Sequence, residues 1–170
     1  MLLLSTLLGS ILIIGLDQLT KWWAVTDLQA MDSIQVIPGV LNFSYVENRG
    51  AAFGILQNRQ ILLLVLTTAV MLALLFCIWK KWITHPIGLV AVCLIVAGGL
   101  GNNIDRLFRS YVVDFIDIRP LFSFPVFNVA DCAITVGVVL FAIYLLFWEE
   151  KEPNRRQKPD QKEKNNDTAL

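Results

Sequence analysis

The sequence predicts a membrane all-α fold, four transmembrane helices carrying a small sheet on the outer face of the membrane. Three observations predict it. Apolar residues make up 56% of the 170 residues and the mean hydropathy is +0.62, too apolar for a water-soluble domain of this length. Four stretches, Leu2 to Leu16, Ile61 to Trp79, Ile87 to Ile104 and Cys132 to Trp148, approach the run of about 20 apolar residues that crosses a bilayer. Between the first two, Ser33 to Val46 partly alternates apolar with polar, as strands do.

The first span is short on its own and continues through Asp17 and Lys21 to Trp22 and Trp23. Lys21 would extend its stem toward water and the tryptophans would anchor at the interface. No basic residue precedes the run and no small-residue cleavage site follows it, so it reads as a retained span and not a cleaved leader. Next, Ile34 and Val36 precede a Pro38-Gly39 turn, and Leu41, Phe43 and Tyr45 follow it, giving two short strands. In "VENRGAAFG", Gly50, Ala51, Ala52 and Gly54 leave room for a close backbone or ligand, although a simple turn into helix two explains them as well. Helix three ends on "GGLGNNIDR", where Asn102, Asp105 and Arg106 share one face beside a glycine-lined helix contact.

Charge sets the orientation. Lys80 and Lys81 join helices two and three, and Lys151, Arg155, Arg156, Lys158, Lys162 and Lys164 follow helix four, so both termini are expected in the cytoplasm. The outer face then receives residues 24–60 and 107–130, and with Arg106 at the end of helix three it carries five arginines, Arg49, Arg59, Arg106, Arg109 and Arg119, against eight cytoplasmic basic residues. Residues 149–170 mix six acids with six bases and almost no apolar side chain, the composition of a disordered tail. A net charge of zero, with no basic stripe among aromatics, argues against nucleic acid. Cys77, Cys93 and Cys132 lack C-x-x-C spacing and read as small buried hydrophobes, and His85 stands alone without the further ligands a metal would need. The absence of an internal repeat weakens a transporter built from two related halves.

The acids sort by their neighbours, because a charge near hydrocarbon is paired, hydrated or functional. Asp17 has Lys21 one turn later, Asp105 abuts Arg106, and Asp117 has Arg119 two residues on. Asp114, a loop acid between Val112-Val113 and Phe115-Ile116, and Asp131, between Val129-Ala130 and Cys132-Ala133, have no cation close in sequence. Asp131 stands where an N-cap of helix four belongs, and Asn128 would serve there too. Two adjacent carboxyls cannot both ionise easily, so one keeps a proton while the other acts as a base, the pattern of an aspartic protease. Capping, ion pairing and an acidic relay for ion or proton translocation are the competing readings.

Five blocks in order carry a further signal: "LDQLTK" at 16–21, "ENRGAAFG" at 47–54, "GGLGNNIDR" at 98–106, "VVDFID" at 112–117 and "FNVADCAITVG" at 127–137. Together they resemble lipoprotein signal peptidase, or signal peptidase II, a bacterial membrane aspartyl endopeptidase. The resemblance implies a four-helix membrane peptidase domain over residues 1–148 with a β-cradle on the outer, periplasmic face, in the bacterial inner membrane. It maps the catalytic pair to Asp114 and Asp131, leaving Asp117 a bystander. Asp17, Lys21, Asn48, Gly50, Asn102, Asp105, Arg106 and Asn128 take supporting or substrate-positioning roles. It further implies a diacylglyceryl-modified prolipoprotein as substrate, membrane lipids as surroundings, a monomeric state, and neither metal nor cofactor. For the pair to form, the 107–130 segment must bring Asp114 back to the top of helix four.

Overall fold

A computed structural model describes residues 2–51 and 55–148, so Ala52, Gly54 and the 149–170 tail singled out above lie outside the described residues. The elements run α1 (Leu2–Thr26), a short 3-10 turn (Leu28–Ala30), β1 (Ile34–Ile37), β2 (Leu41–Asn48), α2 (Gln60–Trp79), α3 (Pro86–Arg109), β3 (Val112–Asp117) and α4 (Val129–Phe147). Three of them, α2, α3 and α4, are long and apolar enough to cross a membrane. In α1 the polar residues Asp17, Gln18, Thr20 and Lys21 interrupt the C-terminal half. Large apolar side chains cover the outside of the helices; Leu12 is 73% exposed and Ile61 79%, a surface that suits lipid and not water.

Helix α3 is the central column and packs against α1, α2 and α4. It begins at His85, whose Nδ1 accepts the Ile87 N–H at 3.3 Å, with Pro86 in the first turn. Its contact with α4 is close because glycines remove the side chains between them. A methyl at Gly98 would run into the Ala130 carbonyl, and one at Gly137 would lie 2.9 Å from the Ala91 carbonyl. The helix extends to Arg109, five residues beyond the apolar run, and the left-handed Ser110 (φ 64°) turns the chain into β3.

The strands form one antiparallel sheet in the order β1-β2-β3. The two strands read from the sequence are β1 and β2, hinged at Gly39, whose φ of 72° suits a residue without Cβ. The segment holding Asp114 is the third strand and not a loop. Val112, Val113, Asp114 and Phe115 are all buried, so the hydrophobic alternation that marks a half-exposed strand is absent. β3 pairs with β2 in the register Val46 to Asp114 and Asn48 to Val112.

The sheet sits on the end of α1. Ala24, Leu28, Val113 and Phe115 form its buried core, and Trp23, Phe43 and Phe115 meet edge to face at 5.5, 6.2 and 6.0 Å between ring centroids. Of the two tryptophans expected at the interface, Trp22 is exposed while Trp23 serves this core.

Candidate active site

β3 carries Asp114, and the chain after it returns to the head of α4. Phe127 closes the return: its N–H donates to the Ile116 carbonyl at 3.1 Å and its carbonyl accepts from Ile116 and Phe115 at 2.8 and 3.0 Å. Asn128 follows at once and caps α4. Its Oδ1 accepts the Asp131 N–H at 2.9 Å, and Asp131 Oδ2 accepts the Asn128 N–H at 3.3 Å. This is a reciprocal capping box, in which Asn128 is the N-cap and Asp131 lies three residues inside the helix. The capping role weighed for Asp131 therefore falls to Asn128.

The same Asn128 side chain donates from Nδ2 to Asp114 Oδ1 at 2.6 Å, so one residue touches both carboxyls. Asn48, on β2, donates to Asp114 Oδ2 at 2.9 Å, and Asn102, on α3, donates to Asp131 Oδ1 at 2.7 Å. The amide orientations follow from chemistry. Asn48 Oδ1 accepts the Gly50 N–H at 2.9 Å, Asn102 Oδ1 accepts from Lys21 Nζ at 2.9 Å, and Asn128 Oδ1 is taken by the Asp131 N–H. Each of these partners can only donate, so each amide must turn its NH2 toward the carboxyls.

Asp114 is buried, and neither Asp114 nor Asp131 forms an ion pair among the described residues. Burial above all, and then the neighbouring Asp131 charge, push the Asp114 carboxyl up from 3.8 to about 7, against the opposing hydrogen bonds from Asn48 and Asn128. A carboxyl in this setting exchanges its proton near neutral pH.

A second polar layer lies beneath the pair. Lys21 Nζ meets Asp17 Oδ2 at 2.9 Å, Asp105 Oδ2 at 3.2 Å and Asn102 Oδ1 at 2.9 Å. Lys21 was expected to reach for water; it is 1% exposed, because three acceptors within the fold replace its hydration. Asp17 Oδ1 accepts the Ala130 N–H at 2.9 Å and Asp105 Oδ2 the Val113 N–H at 3.1 Å, so this layer holds both the head of α4 and the strand carrying Asp114. Asp105 pairs with Lys21 and, at 3.6 Å, with Arg109 one turn on. Its sequence neighbour Arg106 is not its partner, since consecutive helical residues point in different directions. Arg106 instead donates to the Gly50 carbonyl at 3.4 Å, and its buried Nε has no hydrogen-bond partner among the described residues.

Asp117 stands apart from the pair. Arg119 grips it through Nε at 2.8 Å and Nη2 at 2.6 Å, and Ser44 donates at 2.9 Å. The Arg119 hydrogen bonds hold its carboxyl down at about 2.

Two clefts open beside the carboxyls, of about 660 Å³ next to Asp131 and about 600 Å³ next to Asp114. Phe124, Pro125 and Val126 line both. None of the three belongs to the motifs singled out in the sequence; their signal is the aromatic "LFSFPVF" at 121–127, interrupted by Pro125, between two of those motifs. Cys132, expected to be buried, is exposed on the wall of the larger cleft, while Cys77 and Cys93 are half-buried.

Apolar helices capped by a small antiparallel sheet, over an amide-bridged carboxyl pair in which Asp114 is buried and Asp131 partly so, define a membrane enzyme. A solved structure of a bacterial membrane enzyme, determined in meso at 2.3 Å resolution, has the same fold, with a TM-score of 0.79 and 36% identity over 91% of this chain and 93% of that one. A second, at 1.9 Å, gives 0.76 and 38% over 84% and 93%. The lipoprotein signal peptidase of Clostridioides difficile is 44% identical over 142 residues, 83% of this chain and 94% of its own length. That of Streptococcus thermophilus is 42% identical over 139 residues, 82% and 89%. The family described as signal peptidase (SPase) II matches residues 10–147, and the chain belongs to it.

Proposed function

We propose that this chain removes the signal peptide from diacylglyceryl-modified prolipoproteins, cutting before the lipidated cysteine as an aspartic endopeptidase. The observation that carries the reading is the bridge at Asn128, whose Nδ2 donates to the Asp114 carboxyl and whose backbone N–H donates to the Asp131 carboxyl, so that two carboxyls free of ion-pair partners among the described residues share a neighbour. The ionised member of the Asp114–Asp131 pair takes a proton from a water molecule, whose oxygen attacks the scissile carbonyl carbon. The protonated member donates to the developing oxyanion. Breakdown of the tetrahedral adduct then breaks the C–N bond as a proton passes to the leaving amine. The proton belongs to the pair, whose two carboxyls titrate together.

The supporting residues act around this centre. Asn48, Asn102 and Asn128 hold the carboxyls; Asp17, Lys21 and Asp105 hold the elements that bear them; Arg106, with a free buried donor and its hold on Gly50, positions the substrate's carbonyls. Residues 1–148 form the peptidase domain, in which α1 joins α2, α3 and α4 as a fourth span. Both termini are cytoplasmic, and the carboxyl pair faces the outer side of the bacterial inner membrane. A diacylglyceryl substrate remains in the leaflet while its peptide bond reaches the surface, so a site at the helix ends meets both parts. The enzyme acts as a monomer among membrane lipids. Incubating the purified protein with diacylglyceryl-modified prolipoprotein tests the reading: the signal peptide is released, and a substrate returned intact contradicts it.

A further inference from the structure

The two clefts beside the carboxyls differ in chemistry. The larger one runs from Asp131 along α4 past Ile134, Thr135 and Val136, about one helical turn deeper than the carboxyl, and faces Gly99 and Phe122. Apart from Asp131 and Arg106 at its mouth, its lining is uncharged. The smaller one begins at Asp114 and is rimmed by Glu47, Arg49, Arg119 and Ser123. The two arginines are 51% and 55% exposed and are paired with Glu47 and Asp117, which makes this rim charged and hydrated. Asn48 and the Phe124–Val126 strap border both clefts, so the strap is a ridge between them, with one carboxyl on either side.

We propose that the ridge divides the substrate at the bond that is cut. The apolar cleft holds the segment before the cut, and the polar cleft receives the peptide that follows the lipidated cysteine. This rests on the peptidase reading above and adds a direction to it. An apolar segment gains by leaving water for the cleft along α4, whereas a polar segment placed there would lose hydration that the few polar groups near the carboxyl, Asn48, Asn102 and Arg106, replace only in part. A polar segment keeps its hydrogen bonds at the rim of Glu47, Arg49 and Arg119. A signal peptide is apolar before its cleavage site, and the chain beyond it is the exported, polar part. The substrate therefore runs in one sense only, from Val136 over the ridge toward Ser123.

Photo-cross-linking reads that direction. Benzoylphenylalanine replaces Val136 or Ser123 in the full chain, and a diacylglyceryl-modified prolipoprotein carries one tag before the cut and another after it. Position 136 is expected to capture the first tag and position 123 the second. Reversed capture, the same tag at both positions, or capture of an acyl-chain label at 136 overturns the assignment. So does the absence of capture at both positions while the signal peptide is still released. If the unsubstituted protein releases no signal peptide, the peptidase reading itself has failed, an outcome distinct from all of these.

Discussion

Asn128 and Asp114 are 14 residues apart in the chain and 2.6 Å apart at Nδ2 and Oδ1. The contact ties the strand bearing one carboxyl to the cap of the helix that bears the other. Asn128→Ala is expected to lower the rate of signal-peptide release about a hundredfold, the scale of a disturbed acid–base pair. Loss of the cap itself costs only about 1 kcal/mol. Turnover and thermal unfolding measured on the same preparation separate the two. A variant destabilised by that amount yet cleaving at full rate removes Asn128 from the chemistry.

Asp114 gives the protein a pH dependence of defined sign. Its carboxyl is raised from 3.8 to about 7 by burial and by Asp131, so the fold prefers the protonated form. Stability from this group is complete below about pH 4 and is lost as pH rises through about 7, because the native state binds the extra proton in that window. Asp114→Asn should flatten this part of the profile and leave the variant relatively more stable above about pH 7. Release of signal peptide by the unsubstituted enzyme should decline as pH rises through about 7, where the pair loses its shared proton. Unfolding midpoints and rates across this range test both; an unfolding profile identical in variant and parent rules out the first.

Lys21 sits between two buried carboxylates; removing it leaves Asp17 without a cation and Asp105 with only the longer contact to Arg109 at 3.6 Å. Lys21→Met is expected to destabilise the protein by about 3–5 kcal/mol. Adding Asp17→Asn and Asp105→Asn should restore much of the loss. Activity should not return with it, because the lysine also fixes which way Asn102 turns its NH2. Thermal unfolding in detergent and turnover of the parent, the single variant and the triple variant check the split; recovery of both together assigns Lys21 a purely structural role.

Asp117 provides the internal comparison. Its partner Arg119 is 55% exposed and screened by solvent, so Asp117→Asn should cost at most about 1 kcal/mol. Because Asp117 contacts Arg119 and Ser44 and not the pair, signal-peptide release should remain close to that of the parent. A loss as deep as that of the Asp114 variant places the chemistry elsewhere.

The sequence displayed the long helices because their apolar runs are nearly unbroken, and displayed β1 and β2 because Pro38-Gly39 separates two alternating segments. It displayed Asp114 and Asp131 as candidates by subtraction, each lacking a local cation; the family motifs then singled them out. β3 stayed hidden because burial on both faces erases alternation. The last turn of α3, through Arg109, stayed hidden because Asp105 and Arg106 read as a helix end, whereas Lys21 of α1 holds Asp105 inside the fold. No spacing rule reveals that Asp17 reaches the Ala130 N–H, 113 residues away. Such contacts depend on helix packing, which glycines such as Gly98 permit but do not announce.

Everything turns on whether Asp114 and Asp131 perform the cleavage together. The direct measurement is release of signal peptide from diacylglyceryl-modified prolipoprotein by folded Asp114→Asn and Asp131→Asn proteins, beside Asp117→Asn. The expected result is that each of the first two abolishes release while the third cleaves. Undiminished cleavage by either of the first two, in protein whose unfolding transition is intact, contradicts the account.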